Sequence, residues 1–265
     1  MQSIRTVGVL FTAVTALAAL ASSSCGGGTS DPTVVQLPPA DHAAPGFASG
    51  QGQPKIGTVA YPAGPYGISK GSVVENYQFL GFANASVMND PAAMQNVMLA
   101  DFYNPHADDP TYAPADASTD DRLYGPDSPY GAGTPKPRVL LIDVASVWCP
   151  PCNEEAKTTL PGKHLKYKPC GGEFLLQLAD SATPGVAALP ADLVRWDNRY
   201  KVDYPSSLDP SSKLAALFSQ DAFPSNLIID TRTMKIIDVE AGIPPASFWT
   251  KYEATMNAPA CLSGK

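Results

Sequence analysis

The sequence predicts an α/β fold, in which helices pack against a sheet of parallel and antiparallel strands. Aliphatic runs of strand length recur in the second half of the 265-residue chain, at residues 139–144, 174–178 and 227–229. Segments with apolar residues at helical spacing lie between and after these runs. Strands that alternate with helices, followed by a closing hairpin and helix, indicate an α/β sandwich with a mixed sheet.

Composition narrows the range of functions. The chain has 27 Pro and 21 Gly, about 18% of its residues against an average near 12%, which excludes one uninterrupted helical bundle. Its 18 Lys and Arg stand against 25 Asp and Glu, for a formal net charge of −7. Binding to nucleic-acid phosphates needs clustered cations, so we expect no nucleic-acid partner.

The first element is a predicted signal peptide at residues 1–24. An uncharged stretch at 7–20 follows Arg5 and precedes four small residues, and it is too short to span a bilayer. Cys25 and the three glycines after it resemble a bacterial lipoprotein junction, which implies a lipid anchor at Cys25. Cleavage after Ala21 is the alternative. Either way we expect an exported, periplasmic or cell-envelope protein, in a compartment that permits disulfides.

The next segments are a flexible tether and an N-terminal extension. Residues 25–55 are rich in Gly, Pro, Ser and Ala and have little to bury, which predicts a tether. We expect one domain over 56–265, with an extension of short strands at 56–138 and a core at 139–258. Within the extension, 104–138 is acidic and Pro-rich. A calcium site there lacks the usual loop spacing, so a solvated insertion is the preferred interpretation.

The core elements follow in order. The run at 139–144 has the continuous aliphatic character of a strand buried on both faces. The strand at 227–229 pairs with 235–239 across a turn at 230–234. Asp209 and Pro210 are suited to cap and begin a helix. Near the C-terminus, Phe248, Tyr252 and Met256 would form one apolar helix face.

The chemistry concentrates where the first aliphatic strand ends, at the sequence Trp-Cys-Pro-Pro-Cys. Cys149 is placed to cap a helix that begins at Pro150, with Cys152 in its first turn. The helix N-terminus and the Cys152 N–H would then stabilise a Cys149 thiolate and lower its pKa below about 8.5. Pro151 removes another donor, so we expect a moderate depression, typical of a reductant or mild exchanger.

Three other interpretations of this motif remain open. The pair could form an inert disulfide, although so small a loop gains little chain entropy. A zinc site could use Cys149, Cys152, His164 and Cys170, but the motif opens a helix rather than a Gly-rich knuckle. Copper transfer would need a later His, and all three His precede that region. We therefore predict no metal and no cofactor.

At this point the sequence resembles a known family. The Cys-Pro-Pro-Cys segment after a strand, and Ala-Phe-Pro-Ser at 222–225 followed by Leu-Ile-Ile-Asp at 227–230, resemble the thioredoxin superfamily. The exported tether is similar to TlpA/ResA-type membrane-anchored thiol–disulfide oxidoreductases. The resemblance covers about 139–256 and implies a thioredoxin-like three-layer sandwich with a mixed central sheet.

The resemblance also implies roles for individual residues. Cys149 matches the exposed nucleophile and Cys152 the buried resolving thiol, while Pro224 matches a cis-proline that faces the disulfide. Glu155 and Asp143 match positions that assist proton transfer from the resolving thiol. By the same resemblance, substrate contacts fall to the three residues adjoining the cysteines and the proline: Trp148, Pro150 and Phe223.

The remaining cysteines follow two helices that such a topology places side by side. Both helices run away from the active-site end, so Cys170 and Cys261 should emerge together at the opposite pole. We predict a structural disulfide between them, with two free thiols as the alternative. A separation of their Cα atoms beyond about 7 Å would exclude the bond.

The predicted function is thiol–disulfide exchange on exported proteins through Cys149 and Cys152. The expected partners are protein thiols and disulfides, an upstream dithiol electron donor, and the membrane through the lipid anchor. Two alternatives stay open. One is a binding lipoprotein with a static disulfide, and the other is a thiol peroxidase, although Ile142 stands where the peroxiredoxin motif needs Pro.

Overall fold

A computed structural model describes residues 60–67, 69–116, 118–210, 213–214 and 222–264. The predicted signal peptide, the tether and Cys25 lie outside the described residues, as does most of the helix predicted after Asp209. No helix in the described ranges is long and apolar enough to cross a membrane.

A seven-stranded mixed sheet forms the centre of the domain. The strands are β1 (Gln78–Phe82), β2 (Gln95–Met98), β3 (Val139–Ser146), β4 (Gly172–Asp180), β5 (Ser206–Leu208), β6 (Ser225–Asp230) and β7 (Lys235–Ala241). Their order in the sheet is β2-β1-β5-β4-β3-β6-β7. β3 is parallel to β4, and β4 to β5, whereas β6 and β7 continue the sheet antiparallel.

One face of this sheet is covered by helices. The helices are α1 (Pro150–Thr158), α2 (Leu160–Tyr167), α3 (Pro190–Tyr200), α4 (Ala246–Met256) and α5 (Pro259–Ser263). Leu141, Phe174 and Ile228 point to this side and share a core with Leu160, Leu193 and Tyr252 from three of the helices. The alternation of side chains along each strand sends the next residues to the other face.

The opposite face of the sheet is covered by the N-terminal extension. Leu140, Ile142 and Leu227 pack there against Val74 and Phe102. All eight residues of β3 are buried, which is why its sequence is aliphatic on both faces. With a core on each side of a mixed sheet, the chain has the predicted α/β, thioredoxin-like fold.

The structure corrects one expectation about the insertion at 104–138. It is not simply a solvated loop, because Tyr124 is 6% exposed and stacks on Tyr130, whose ring contacts Phe102. Tyr130 also donates a hydrogen bond to Asp101. Aromatic residues spaced irregularly among Pro and Gly carry no periodic signal, so the sequence did not reveal this packing.

The acidic residues of the insertion bind partners within the protein. Asp108 pairs with Arg138 and Arg232, Asp120 with Arg122, and Asp121 with His106. In the described ranges no three His, Cys, Asp or Glu residues come together as possible metal ligands. These contacts favour a structural role for the acidic residues over a calcium site.

Cys170 and Cys261 lie at the end of the sheet where β3 begins. Cys170 follows α2, Cys261 is in α5, and the two form a disulfide with a Cα–Cα distance of 5.7 Å. This bond joins segments 91 residues apart in the sequence. It fastens the C-terminal helix beside the start of β4.

Candidate active site

Two loops meet at the end of the sheet where β3 ends. The chain leaves β3 at Ser146 and reaches Cys149 three residues later, and the Cys149 N–H donates to the Ser146 carbonyl at 3.1 Å. β6 begins at Ser225, which is paired with Val144 of β3. Pro224 therefore lies at the same end of the sheet as the dithiol motif.

Cys149 and Cys152 form a disulfide at the start of α1. Their Cα atoms are 5.3 Å apart, within the usual range for such a bond. Cys149 is the helix N-cap, with extended φ and ψ of −82° and 110°, and its Sγ accepts from the Cys152 N–H at 3.1 Å. The two prolines at N1 and N2 have no N–H, so Cys152 supplies the capping donor.

The burial of Cys149 differs from what the family resemblance implies. Cys149 is 1% exposed and Cys152 is 2% exposed, so both members of the pair are covered. The rings of Trp148 and Phe223, which meet edge to face with centroids 5.9 Å apart, pack against the same core. With its sulfur bonded to Cys152 and capping the helix, Cys149 is turned inward while Pro150 is exposed.

Pro224 is held against the neighbouring hairpin. The Phe223–Pro224 peptide bond is cis, and the Pro224 carbonyl accepts from the Gly242 N–H at 2.7 Å. Trp148 is held on the other side, where its Nε1–H donates to Asp180 at 3.0 Å. These contacts place the predicted substrate-contact residues on two loops that touch each other.

A pair of buried carboxyl groups lies beneath α1. Asp143 points from β3 to the helix-covered face and is 2% exposed, and Glu155 points down from α1 and is 1% exposed. Asn226, the β6 partner of Asp143, donates from Nδ2 to the Glu155 oxygens at 3.3 and 3.5 Å. Glu155 follows Cys152 by three positions, so both side chains leave the same face of α1.

Burial controls the protonation of this pair. Removal from water raises the pKa of Asp143 to about 7. Burial, and then the charge of Asp143, raise the pKa of Glu155 to about 9, against a smaller opposing effect of the Asn226 hydrogen bond. Around neutral pH the pair therefore retains at least one proton while Asp143 is close to its titration point. Such a group can accept a proton and release it again.

We predict that Glu155→Gln stabilises the oxidised protein, and more so at higher pH. The folded-state pKa is above that of the unfolded chain, so wild-type stability falls as the pH rises from about 4.5 towards about 9. Gln has no proton to lose and can still accept from Asn226. The expected gain is about 2 kcal/mol at pH 8 and close to zero at pH 4, measured by urea unfolding.

The matched control for this prediction is Glu154→Gln, at the exposed neighbouring position of α1. It should leave the free energy of unfolding nearly unchanged at both pH values. A gain for Glu155→Gln that is the same at pH 4 and pH 8 would show that its carboxyl group is not held protonated by burial.

Several residues of the site were not identified from the sequence. Asn153 donates from Nδ2 to the carbonyls of Val147 and Cys149 at 3.1 and 2.6 Å, and its Oδ1 accepts from the Tyr200 hydroxyl. These bonds tie the cysteine loop to α3. Asn and Tyr recur throughout the chain, and only the three-dimensional structure distinguishes these two.

The alternative zinc ligands do not converge. Cys149 and Cys152 are bonded to each other, and Cys170 is bonded to Cys261. The Nδ1 and Nε2 atoms of His164 lie 2.8 Å from Asp203 and 3.0 Å from Glu173. The structure thus divides these side chains among three separate contacts.

This chain is similar to several solved structures at low sequence identity. No family model matches the sequence, and no curated protein matches it. The thioredoxin domain of a thiol-disulfide oxidoreductase from Bacteroides vulgatus is 14% identical over 71% of this chain and 99% of its own, with a TM-score of 0.45. A secreted thiol-disulfide isomerase from Corynebacterium glutamicum is 12% identical over 80% of this chain and 96% of its own, with a TM-score of 0.45.

A peroxidoxin from Mycobacterium tuberculosis is similar to the same extent, at 12% identity over 71% of this chain and 96% of its own, with a TM-score of 0.44. The strand order and the hydrophobic core on each face of the sheet define the fold of this chain.

Proposed function

We propose that this protein catalyses thiol–disulfide exchange on exported protein substrates through Cys149 and Cys152. The observation that carries the proposal is the disulfide at the N-terminus of α1, with the Cys152 N–H directed at the Cys149 sulfur at 3.1 Å. On reduction, that N–H and the helix N-terminus favour a thiolate at Cys149. An inert disulfide has no need of such an arrangement.

The reaction has two steps. The Cys149 thiolate attacks a substrate disulfide, forming a mixed disulfide and releasing one substrate sulfur as a thiolate that takes up a proton. The Cys152 thiol then loses its proton and attacks the Cys149 sulfur, releasing the second substrate thiolate. The substrate gains two electrons and the protein ends as the Cys149–Cys152 disulfide.

The buried carboxyl pair is placed to accept the proton of Cys152. Glu155 and Cys152 share one face of α1, and Asp143 lies beneath them on β3. Because burial brings the pKa of Asp143 to about 7, its carboxylate can take the proton at neutral pH and return it in the next cycle. We propose Asp143 as the proton acceptor of the second step, with the protonated Glu155 beside it as the second member of the pair.

The surroundings of the disulfide favour a polypeptide as the substrate. Four segments meet at this end of the sheet, at residues 144–153, 181–191, 222–225 and 241–250, and none of them contains a charged residue. The carboxylates beside them, Asp180 and Asp192, accept hydrogen bonds from Trp148 and from the Leu189 N–H. Val186, Leu189 and Ile243 are 51%, 62% and 47% exposed. We call these three the apolar rim. An exposed apolar rim suits an extended chain better than a small charged thiol.

The apolar rim is held beside the reactive loops. The Trp148 N–H donates to Ser181 at 3.2 Å, and the Ser181 N–H donates to Val186 at 2.7 Å. On the other side, the Gly242 N–H donates to Pro224 at 2.7 Å, which places Ile243 next to that loop. The rim therefore flanks the dithiol on two sides.

We predict that Leu189→Asp or Ile243→Asp raises KM for insulin by about tenfold with little change in kcat, because the loss of one apolar contact costs about 1–2 kcal/mol of docking. The measurement is insulin-disulfide reduction. The matched control is Leu165→Asp, which changes a 74% exposed leucine on α2. Equal effects of the rim and control substitutions would remove the apolar rim from substrate binding.

The direction of exchange follows from the cap. One N–H donor, with prolines at N1 and N2, favours a moderately stabilised thiolate, so we propose a reductant or mild exchanger. After each cycle, an upstream dithiol donor must reduce the Cys149–Cys152 disulfide again. A lipid on Cys25 would anchor the protein at the cell envelope.

The test combines a reduction potential with trapping. We expect a Cys149–Cys152 potential above about −300 mV, turnover of insulin disulfides, and stable mixed disulfides when Cys152→Ser is expressed in the native cell. Because Cys149 is buried, one alternative function stays open, in which the chain is a binding protein with a static Cys149–Cys152 disulfide. A potential well below about −300 mV without insulin turnover would establish that alternative.

A further inference from the structure

A cavity of about 400 Å³ lies at the end of the sheet opposite the dithiol. One wall comes from the insertion at 104–138, and the other from the segments joined by the Cys170–Cys261 disulfide. The eight residues of β3 separate it from the Cys149 loop, a distance of more than about 20 Å. It is a second site, outside the reactive region.

The polar lining of this cavity is cationic. Arg122, Lys136 and Arg138 line it, and no acidic residue does, in a chain whose net charge is −7. The remainder of the lining is largely apolar, with Leu123 and Pro169 among its members. The cavity thus combines positive charge with apolar walls, a combination that suits an organic anion.

Of the three cations, Lys136 is the one that makes no direct ion pair with a carboxylate of the described residues. It is 8% exposed, and its ammonium makes one hydrogen bond, to the Tyr103 carbonyl at 3.3 Å. Within the described part of the chain, no carboxylate oxygen lies within 4 Å of it. Asp121 and Asp101 attract the ammonium from beyond that distance, and each also has a nearer partner, His106 and Tyr130. A buried cation that makes no direct ion pair is costly.

The two arginines have partners but keep capacity for a ligand. Arg122 pairs with Asp120, and Arg138 pairs with Asp108 and donates to the Asn257 carbonyl. Their side chains remain 35% and 33% exposed. A guanidinium has five N–H donors, so each can bind an anion while it keeps its present contacts.

A buried acceptor adds to this site. Asn104 lines the cavity and is 2% exposed. Its Nδ2 donates to the carbonyls of Lys136 and Pro137 at 3.0 and 3.1 Å, which fixes the orientation of the amide. Its Oδ1 is buried and has no hydrogen-bond donor among the described residues, and we assign a ligand hydroxyl to it as part of the proposal below.

We propose that this cavity binds a small hydroxylated carboxylate, with its carboxylate on Lys136 and the neighbouring arginines. The volume is sufficient for an organic acid, and the apolar part of the lining would contact its carbon chain. The site also accounts for features that the exchange reaction does not use. The insertion supplies the cations, and the second disulfide holds the opposite wall in place.

The test is binding of malate to the full chain by titration calorimetry, with its neutral diamide as the uncharged control. We expect saturable binding of malate and none of the diamide. Lys136→Met and Arg122→Gln should each weaken binding by at least about tenfold, because each removes a charge-assisted hydrogen bond. Arg122→Gln provides the result if the buried Lys136 variant does not fold.

The matched control is Arg195→Gln, an arginine that is 74% exposed and pairs with Asp192 on α3. It should bind malate as the wild type does. A second readout is local, because bound malate should slow reduction of Cys170–Cys261 by dithiothreitol and leave Cys149–Cys152 unaffected. Absence of saturable malate binding, or equal binding of the diamide, would overturn the proposal.

Discussion

Cys149→Ser is expected to lower insulin-disulfide reduction by at least about a thousandfold. A serine hydroxyl does not attack disulfides at neutral pH. The thiol that the substitution frees, Cys152, is only 2% exposed, and Cys170 is bonded to Cys261. The measurement is initial rate with dithiothreitol as the electron source, after subtraction of the uncatalysed reaction.

The substitution should change the reaction and little else. Serine is a good N-cap and can accept from the Cys152 N–H as the sulfur does now. The lost disulfide joins two residues only three positions apart in the sequence. Its loss therefore costs about 2 kcal/mol of stability in the chain-entropy model. Activity should therefore fall far more than the fraction of folded protein.

The partner variant Cys152→Ser provides the contrast. This variant retains the attacking thiol but cannot resolve the mixed disulfide. Each protein molecule should therefore form one mixed disulfide with a substrate and react no further. Mass spectrometry of the adduct would place the bond at Cys149. Turnover by Cys149→Ser at more than a few per cent of the wild-type rate would transfer the nucleophilic role to another group.

The sequence predicted those parts of the site that depend on local chemistry. The aliphatic run at 139–144 became β3, and the motif that follows it begins α1 with Cys149 as its N-cap. Both predictions use neighbours within a few residues, where chain geometry is nearly fixed by residue type. The fold class followed from the same kind of pattern.

The remaining features depend on residues far apart in the chain. Asn226 reaches Glu155 across 71 positions and Tyr200 reaches Asn153 across 47. No spacing rule connects such pairs. The packing around Cys149 has the same origin, since Phe223 from a distant loop contacts Trp148 and packs against the core that contains Cys149. The cation-lined cavity likewise required the insertion and α5 to be brought together.

Removal of the second disulfide should cost more stability than removal of the first. In the chain-entropy model a bond across 91 residues contributes about 4.6 kcal/mol, against about 2 kcal/mol for the three-residue separation of Cys149 and Cys152. We therefore expect Cys170→Ser with Cys261→Ser to lower Tm by roughly 10 °C, measured by thermal and urea unfolding.

The local structure supports a large effect for this pair. α5 has five residues, too few to form a stable helix alone, and Cys261 is its covalent link to the start of β4. Insulin reduction at 25 °C should remain close to wild type, because β3 separates this bond from the dithiol. Equal stability losses for the two cysteine pairs would contradict the loop-entropy argument. A parallel loss of insulin turnover would show that the two ends of the sheet are coupled.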